Sequence, residues 1–229
     1  KGYPRLINLI CDRSLLAGHT QRSFVITRSI VRKAALGLQD RSEREALLSS
    51  IAEEVAACHK CTLAGARTKA VPGVGSANAR ICFVGEGPGR EEDTTGIPFV
   101  GQAGRLLDRL LASEGLSRRD CYICNIVKCR PPNNRVPEAP EVAACSVYLY
   151  AQLAVVQPCV ICLLGNTALR FFFGDRYAIG QVRGTMLVKD GQRFMPMYHP
   201  AAALRNPDYV RVIQNDLRKL AEFVRQNCP

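Results

Sequence analysis

The sequence predicts an α/β fold: a three-layer α/β/α arrangement around a central, mostly parallel four-stranded sheet. Three observations predict it. Short apolar runs rich in β-branched residues alternate with segments whose apolar residues recur at helical spacing, the order that builds parallel strands joined by helices. Hydrophobic residues make up 47% of the 229 residues, enough for a core on both faces of a sheet. Turn-rich loops follow the strands, on the side where open α/β sheets bind ligands.

The elements follow in order. Residues 1–45 are basic and carry little turn punctuation, as in "RSFVITRSIVRKAALGLQDRSERE", and read as an extension with no assigned fold. The second region, residues 46–229, carries the regular pattern. "SEREALLSSIAEEVAAC" is a helix ending near Cys58. "GVGSANARICFVGEGPG" is turn, strand and glycine-rich loop, and "AGRLLDRLLASEG" is an amphipathic helix stopped by Gly115. "DCYICNIVKC" is a strand; "PEAPEVAACSVYLYAQLAVV" is a helix with proline near its start. "PCVICLLG" is a strand, "NTALRFFFG" a short helix, "RFMPMYHPAAALRNP" a strand and loop, and "PDYVRVIQNDLRKLAEFVRQ" the closing helix.

The net charge is +11, with Lys and Arg scattered rather than massed in a tail. Such a surface suits a polyanionic partner. The longest uninterrupted apolar runs, such as "VICLLG", fall far short of the roughly 20 residues that span a bilayer, and residues 1–45 show no clean signal peptide. A cytoplasmic protein with no membrane partner is expected.

Among the 11 cysteines, Cys58/Cys61, Cys121/Cys124 and Cys159/Cys162 have CxxC spacing. On a strand, residues i and i+3 point to opposite faces, so the pairs 121/124 and 159/162 are poor chelates and read as small buried hydrophobes. Cys58 and Cys61 sit at a helix end and can converge. Cys129, where a strand exits, and Cys145, on the next helix, supply two more thiols. Four thiolates from these places suit either a [4Fe–4S] cluster or a zinc ion.

Four motifs reach a family. "GEGPGREED" (85–93), "GIPFVGQAG" (96–104), "YICNIVKCRPPNNRVP" (122–137) and "YHPAAALRNP" (198–207), with the cysteine frame, resemble the family 4 uracil-DNA glycosylases over residues 46–223. The resemblance implies that Cys58, Cys61, Cys129 and Cys145 hold a structural [4Fe–4S] cluster, which chooses the cluster over zinc. It also implies a monomeric, monofunctional enzyme of bacterial or archaeal type. Such an enzyme hydrolyses the N-glycosidic bond of uracil in single- and double-stranded DNA during base excision repair, leaving an abasic site.

Each motif then answers a chemical need. A base taken out of the stack must be held, read and stabilised as it leaves. Asn125 reads the uracil edge, and Phe99 is the stacking platform. Glu86, Gly87 and Pro88 bring main-chain groups to the base; this glycine-rich loop lacks the Lys-Ser/Thr of a phosphate-binding loop. His199 stabilises the departing anion. Glu92 is assigned to guard the C5 position, and Asp93 to position water or support the loop. Lys128, Arg130, Arg135, Arg183, Pro200, Leu204 and Arg205 are assigned to DNA, Leu204 within an apolar wedge. Two other readings are a relative that captures uracil covalently and a cluster-bearing DNA-binding protein without turnover. "CRPPNNRVP" lacks the histidine-containing insertion of the first, and Asn125, Phe99 and His199 together speak against the second.

Overall fold

The computed structural model describes residues 41–228. The predicted extension lies outside the described residues up to position 40, and its remainder opens a helix, α1 (Arg41–Ala56). There follow β1 (Val74–Gly75), β2 (Ile81–Gly85), α2 (Arg90–Thr95), α3 (Gln102–Ser113), β3 (Cys121–Asn125) and α4 (Ala139–Val156). The second half contains β4 (Val160–Leu164), α5 (Asn166–Phe173), α6 (Ile179–Val182), β5 (Leu187–Lys189), β6 (Gln192–Met197), α7 (Pro200–Arg205) and α8 (Asp208–Asn227).

The sheet has six strands rather than four, in the order β1-β3-β2-β4-β6-β5. The four predicted strands form its parallel centre. The two additional strands are short antiparallel edges, of two and three residues, too brief to produce an alternating pattern. One left a trace: "KDGQ" is a hairpin turn between β5 and β6, with Asp190 and Gly191 both at positive φ.

Register decides where chemistry can occur. Gly85 pairs with Asn125, Val84 with Leu163, Leu163 with Pro196, and Leu164 with Met197. The four central strands therefore end at one level, and their outgoing loops share one edge. Side chains alternate between two cores. Cys82, Val84, Cys124, Ile161 and Leu163 join the layer of α1, α4 and α5. Ile81, Phe83, Ile123, Cys162 and Leu164 join that of α3 and α8. Cys121 and Cys124 fall on opposite sides and are buried, as strand geometry requires. Helix α4 is long and apolar enough, by length and composition, to cross a membrane; half of that stretch is buried within the fold, against α1 and β3.

Cys159 departs from its expected role as a core hydrophobe. It precedes β4 and forms a disulfide with Cys228, just after α8, with Cα atoms 6.0 Å apart. The partner lies 69 residues away, so no local spacing reveals it. Closing so long a loop removes entropy from the unfolded chain, worth about 2–4 kcal/mol. Cys228→Ser should lower the melting temperature by several degrees, and reductant should bring the native chain to the same value. An unchanged native melting curve in reductant would contradict this.

Candidate active site

The shared edge of the sheet holds a cleft of about 520 Å³. All the predicted base-contact residues line it: Glu86, Gly87, Pro88, Phe99, Asn125 and His199. Its floor is made by the last residues of β2 and β3. A methyl group on Gly85 would lie 2.4 Å from Asn125 Oδ1 and 2.7 Å from Phe99 Cζ, so only glycine leaves both side chains in place. The two outgoing loops are zipped together: Ile126 N donates to Gly85 O at 3.0 Å and Val127 N to Glu86 O at 3.2 Å. A Cβ on Gly87 would meet Val127 Cγ2 at 2.9 Å, which explains the glycine in that turn.

Asn125 is 1% exposed, and its Oδ1 has no hydrogen-bond partner. A buried amide oxygen left unpaired costs about 1–3 kcal/mol, so this one is an acceptor held ready for a ligand.

Phe99 is also held at a cost. Its φ is +53°, unusual for a bulky residue. Arg118 donates to Phe99 O at 2.7 Å and also to Pro98 O, fixing the turn. The Phe99 and His199 rings face each other with centroids 5.4 Å apart and planes inclined by 32°. Gly165, at φ +91°, lets His199 pass close, since a Cβ there would stand 3.2 Å from His199 Cβ.

His199 caps α7. Its Nδ1 accepts a hydrogen bond from Ala201 N at 3.1 Å, so the proton of the neutral ring is on Nε2. Burial pushes the imidazole down to about 4, with Glu92 opposing the shift. The ring is therefore neutral near pH 7 and can donate from Nε2.

The two acidic residues assigned to the site act as braces. Glu92 Oε1 accepts from Val100 N at 2.9 Å and Gly101 N at 2.8 Å, and Oε2 accepts from Gly89 N at 3.1 Å. One carboxylate thus ties the "GPG" loop to the "PFVG" loop, although Glu92 also lines the cleft. Asp93 does not line it. Its Oδ1 accepts from Thr68 N at 3.0 Å, which corrects the water-positioning role in favour of loop support.

The basic residues divide. Arg205 lines the cleft, Leu204 is 46% exposed on the same helix, and Pro200 is buried in its first turn. Arg130 Nε donates to Asn134 Oδ1 at 2.8 Å, holding the outgoing loop. Arg135 lines the cleft but is committed to buried Glu141 by bonds of 2.6 and 2.8 Å. Lys128 cannot reach DNA: it is 1% exposed, with Nζ bonded inside the core. Arg183 is likewise taken, by fully buried Asp216 at 2.7 Å. Periodicity could not separate these cations from surface ones, because their partners are distant in sequence. Asn134 and Thr167 also line the cleft and escaped the sequence reading. Thr167 donates to the Glu86 carboxylate; the polar "GNT" after β4, at the ligand-binding edge, was the available signal.

A second pocket, behind β3, is ringed by Cys58, Cys61, Cys129 and Cys145, the four predicted ligands. Three have N–H donors: Arg67 Nη1 to Cys129 Sγ at 3.2 Å, Lys128 N to Cys145 Sγ at 3.2 Å, and Lys60 N to Cys58 Sγ at 3.5 Å. Burial pushes Cys145 up to about 11 and raises Cys129, so these thiols are protonated unless a metal group displaces the protons. Among the described residues, no group of three or more His, Cys, Asp or Glu is placed to hold a single metal ion.

Glu141 joins the two pockets, because it also accepts from Thr62 Oγ1 at 3.0 Å, beside Cys61. The Arg135 guanidinium holds its carboxyl down from 4.5 to about 2. A carboxylate depressed on folding contributes stability above its unfolded pKa and loses it as pH falls through the folded one. Arg135→Ala should therefore melt below the native chain at neutral pH, and the gap should close between pH 4.5 and about 2. A gap independent of pH would contradict the pairing.

The comparisons with known proteins agree with this geometry. The family model described as the Uracil DNA glycosylase superfamily matches residues 72–222. The type-4 uracil-DNA glycosylase of Thermotoga maritima is 46% identical over 187 residues, covering 80% of this chain and 97% of that protein. That of Saccharolobus solfataricus is 47% identical over 184 residues, covering 76% and 85%. That of Archaeoglobus fulgidus is 43% identical over 190 residues, covering 80% and 96%.

Proposed function

Because the chain belongs to the type-4 uracil-DNA glycosylases of the uracil-DNA glycosylase superfamily, we propose that it excises uracil from single- and double-stranded DNA by hydrolysing the N-glycosidic bond. The observation that carries this reading is the buried, unpartnered Oδ1 of Asn125 in a cleft flanked by Phe99 and His199. A uracil turned out of the stack lies against Phe99, where base–aromatic stacking is worth about 1–3 kcal/mol. Asn125 Oδ1 accepts from N3–H and its amide donates to O4; cytosine presents the opposite pattern and leaves buried groups unpaired. His199 donates from Nε2 to O2 as the C1′–N1 bond breaks, so the electron pair leaves on the base as a stabilised anion. Water then takes C1′ and an abasic site remains. Glu92 holds both loops and, from the cleft lining, guards the C5 position. Arg205 and Leu204 serve the DNA, the arginine on phosphate and the leucine in the gap left by the base.

The second pocket fits a [4Fe–4S] cluster, held by Cys58, Cys61, Cys129 and Cys145: four soft donors from three segments line one pocket, and N–H groups point at three of their sulfurs. Its contribution is a cross-link between the end of α1, the loop after β3 and the start of α4. None of the chemistry at the base passes through it.

Release of free uracil from a uracil-containing oligonucleotide tests the proposal. The native chain should release it, and His199→Ala should slow single-turnover excision about 100-fold or more while DNA binding is kept. Native-like excision by His199→Ala would overturn the assigned role. For the native enzyme, log kcat/KM should stay flat from pH 8 to about 5 and fall only as His199 protonates near 4. A limb at the ordinary imidazole value near 6.5 would show a solvated ring instead.

A further inference from the structure

Lys128 has no role in the chemistry above, yet its placement is costly. It is a lysine at 1% exposure, and among the described residues no salt bridge reaches it. Its Nζ donates to the main-chain oxygen of Asn125 at 2.7 Å and to Gln152 Oε1 at 2.7 Å, both neutral. Gln152, itself 1% exposed, is fixed in turn by donating to Pro72 O at 2.7 Å. Neutral dipoles satisfy the hydrogen bonds of an ammonium but do not answer its charge, and an unanswered charge in a core is strongly disfavoured.

The cysteine pocket offers an answering charge, and the buried thiols Cys82 and Cys124 also stand within electrostatic reach of Lys128. Lys128 lines the cysteine pocket, its main-chain N–H donates to Cys145 Sγ, and its neighbour is Cys129. Arg67 lines the same pocket. It donates to Cys129 Sγ, and its remaining bonds go to the carbonyls of Cys58 and Ala56, again without a carboxylate. Three basic residues thus line the pocket with the four thiols: Lys128 and Arg67, both bonded to neutral oxygens, and Lys60, whose ammonium lies over the Tyr148 ring. Once four thiolates hold an iron–sulfur core, the assembly is a net anion, sensitive to charges and N–H donors nearby.

We propose that Lys128, together with Arg67, is the built-in counter-charge of the cluster, and that the same ammonium fixes the backbone of Asn125. Lys128 is then a positioning residue that makes base recognition depend on an occupied cysteine pocket. With the pocket loaded, the ammonium is held between the anion and the strand end. With it empty, the charge is unanswered, and the clamp on Asn125 O loosens. The inference rests on the cluster reading above.

The experiment uses the full chain prepared without oxygen, as native protein, Lys128→Met and Lys128→Gln. Iron content, cluster potential and single-turnover uracil excision are measured, with DNA affinity across a salt series. The native chain should carry iron. Both variants should show a more negative potential, because removing a cation disfavours the added electron. Lys128→Met should excise about 10-fold to 100-fold more slowly, the cost of a misplaced reacting group. Lys128→Gln, which keeps a donor for Asn125 O, should recover part of that loss. The salt slope should match the native value, since no phosphate contact is removed. If Lys128→Met does not fold, the potential of Lys128→Gln still decides. A native chain without iron overturns the cluster and the counter-charge together. A loaded native chain whose variants keep its potential overturns the counter-charge alone, and a salt slope reduced by about one unit would make Lys128 a phosphate contact instead.

Discussion

The site depends on one constraint: an amide oxygen is buried at the end of a central strand with nothing to bond. Asn125 pairs with Gly85 across two parallel strands, and the glycine leaves the only room in which the amide and the Phe99 ring can both stand. A strand end buried on both faces cannot turn its side chain to water, so the penalty remains until a ligand with the right donor arrives. On the proposed reading, recognition is a difference between one satisfied and one unsatisfied state, which is how a small base edge is distinguished.

Much of the surrounding structure maintains that state. Glu92 joins the two loops that form the cleft walls through three main-chain N–H groups. Arg118 holds Phe99 in a strained backbone conformation. His199 is fixed by its own helix turn, which sets the tautomer as well as the direction of the ring. In the proposed mechanism none of these groups has to reorganise when negative charge develops on the base, which is the condition for electrostatic catalysis in a preorganised site. Arg135, Glu141 and Thr62 run from the rim of the cleft to the cysteine segment. The stability of the cleft and that of the cysteine pocket are therefore linked through ordinary hydrogen bonds.

The parallel centre of the sheet was legible because each of its strands carries a run of buried residues between turn signals, and because "GEGPG", "CNIVKC" and "YHPAA" all leave from strand ends. The edges were not: Val74–Gly75 and Leu187–Lys189 exist through pairing with a neighbour rather than through pattern. Single cations were the least legible. "KCR" looks like a basic loop, yet Lys128 turns inward because Asn125 O and Gln152 lie there, while Arg130 turns outward to Asn134. Arg183 and Arg135 answer Asp216 and Glu141, residues on other elements that a local reading cannot bring near. The disulfide between Cys159 and Cys228 is of the same kind, a long-range pairing decided by where the end of α8 meets the entry to β4.

The most direct test of the central claim is the ratio of uracil to cytosine excision by Asn125→Asp, measured in single turnovers on matched oligonucleotides. A carboxylate cannot donate to O4 but can accept from the cytosine amine. Uracil excision should fall, and the preference for uracil over cytosine should narrow by about 10-fold to 100-fold, the equivalent of about 1–3 kcal/mol. An Asn125→Asp enzyme that keeps the native ratio would show that the buried amide does not read the base.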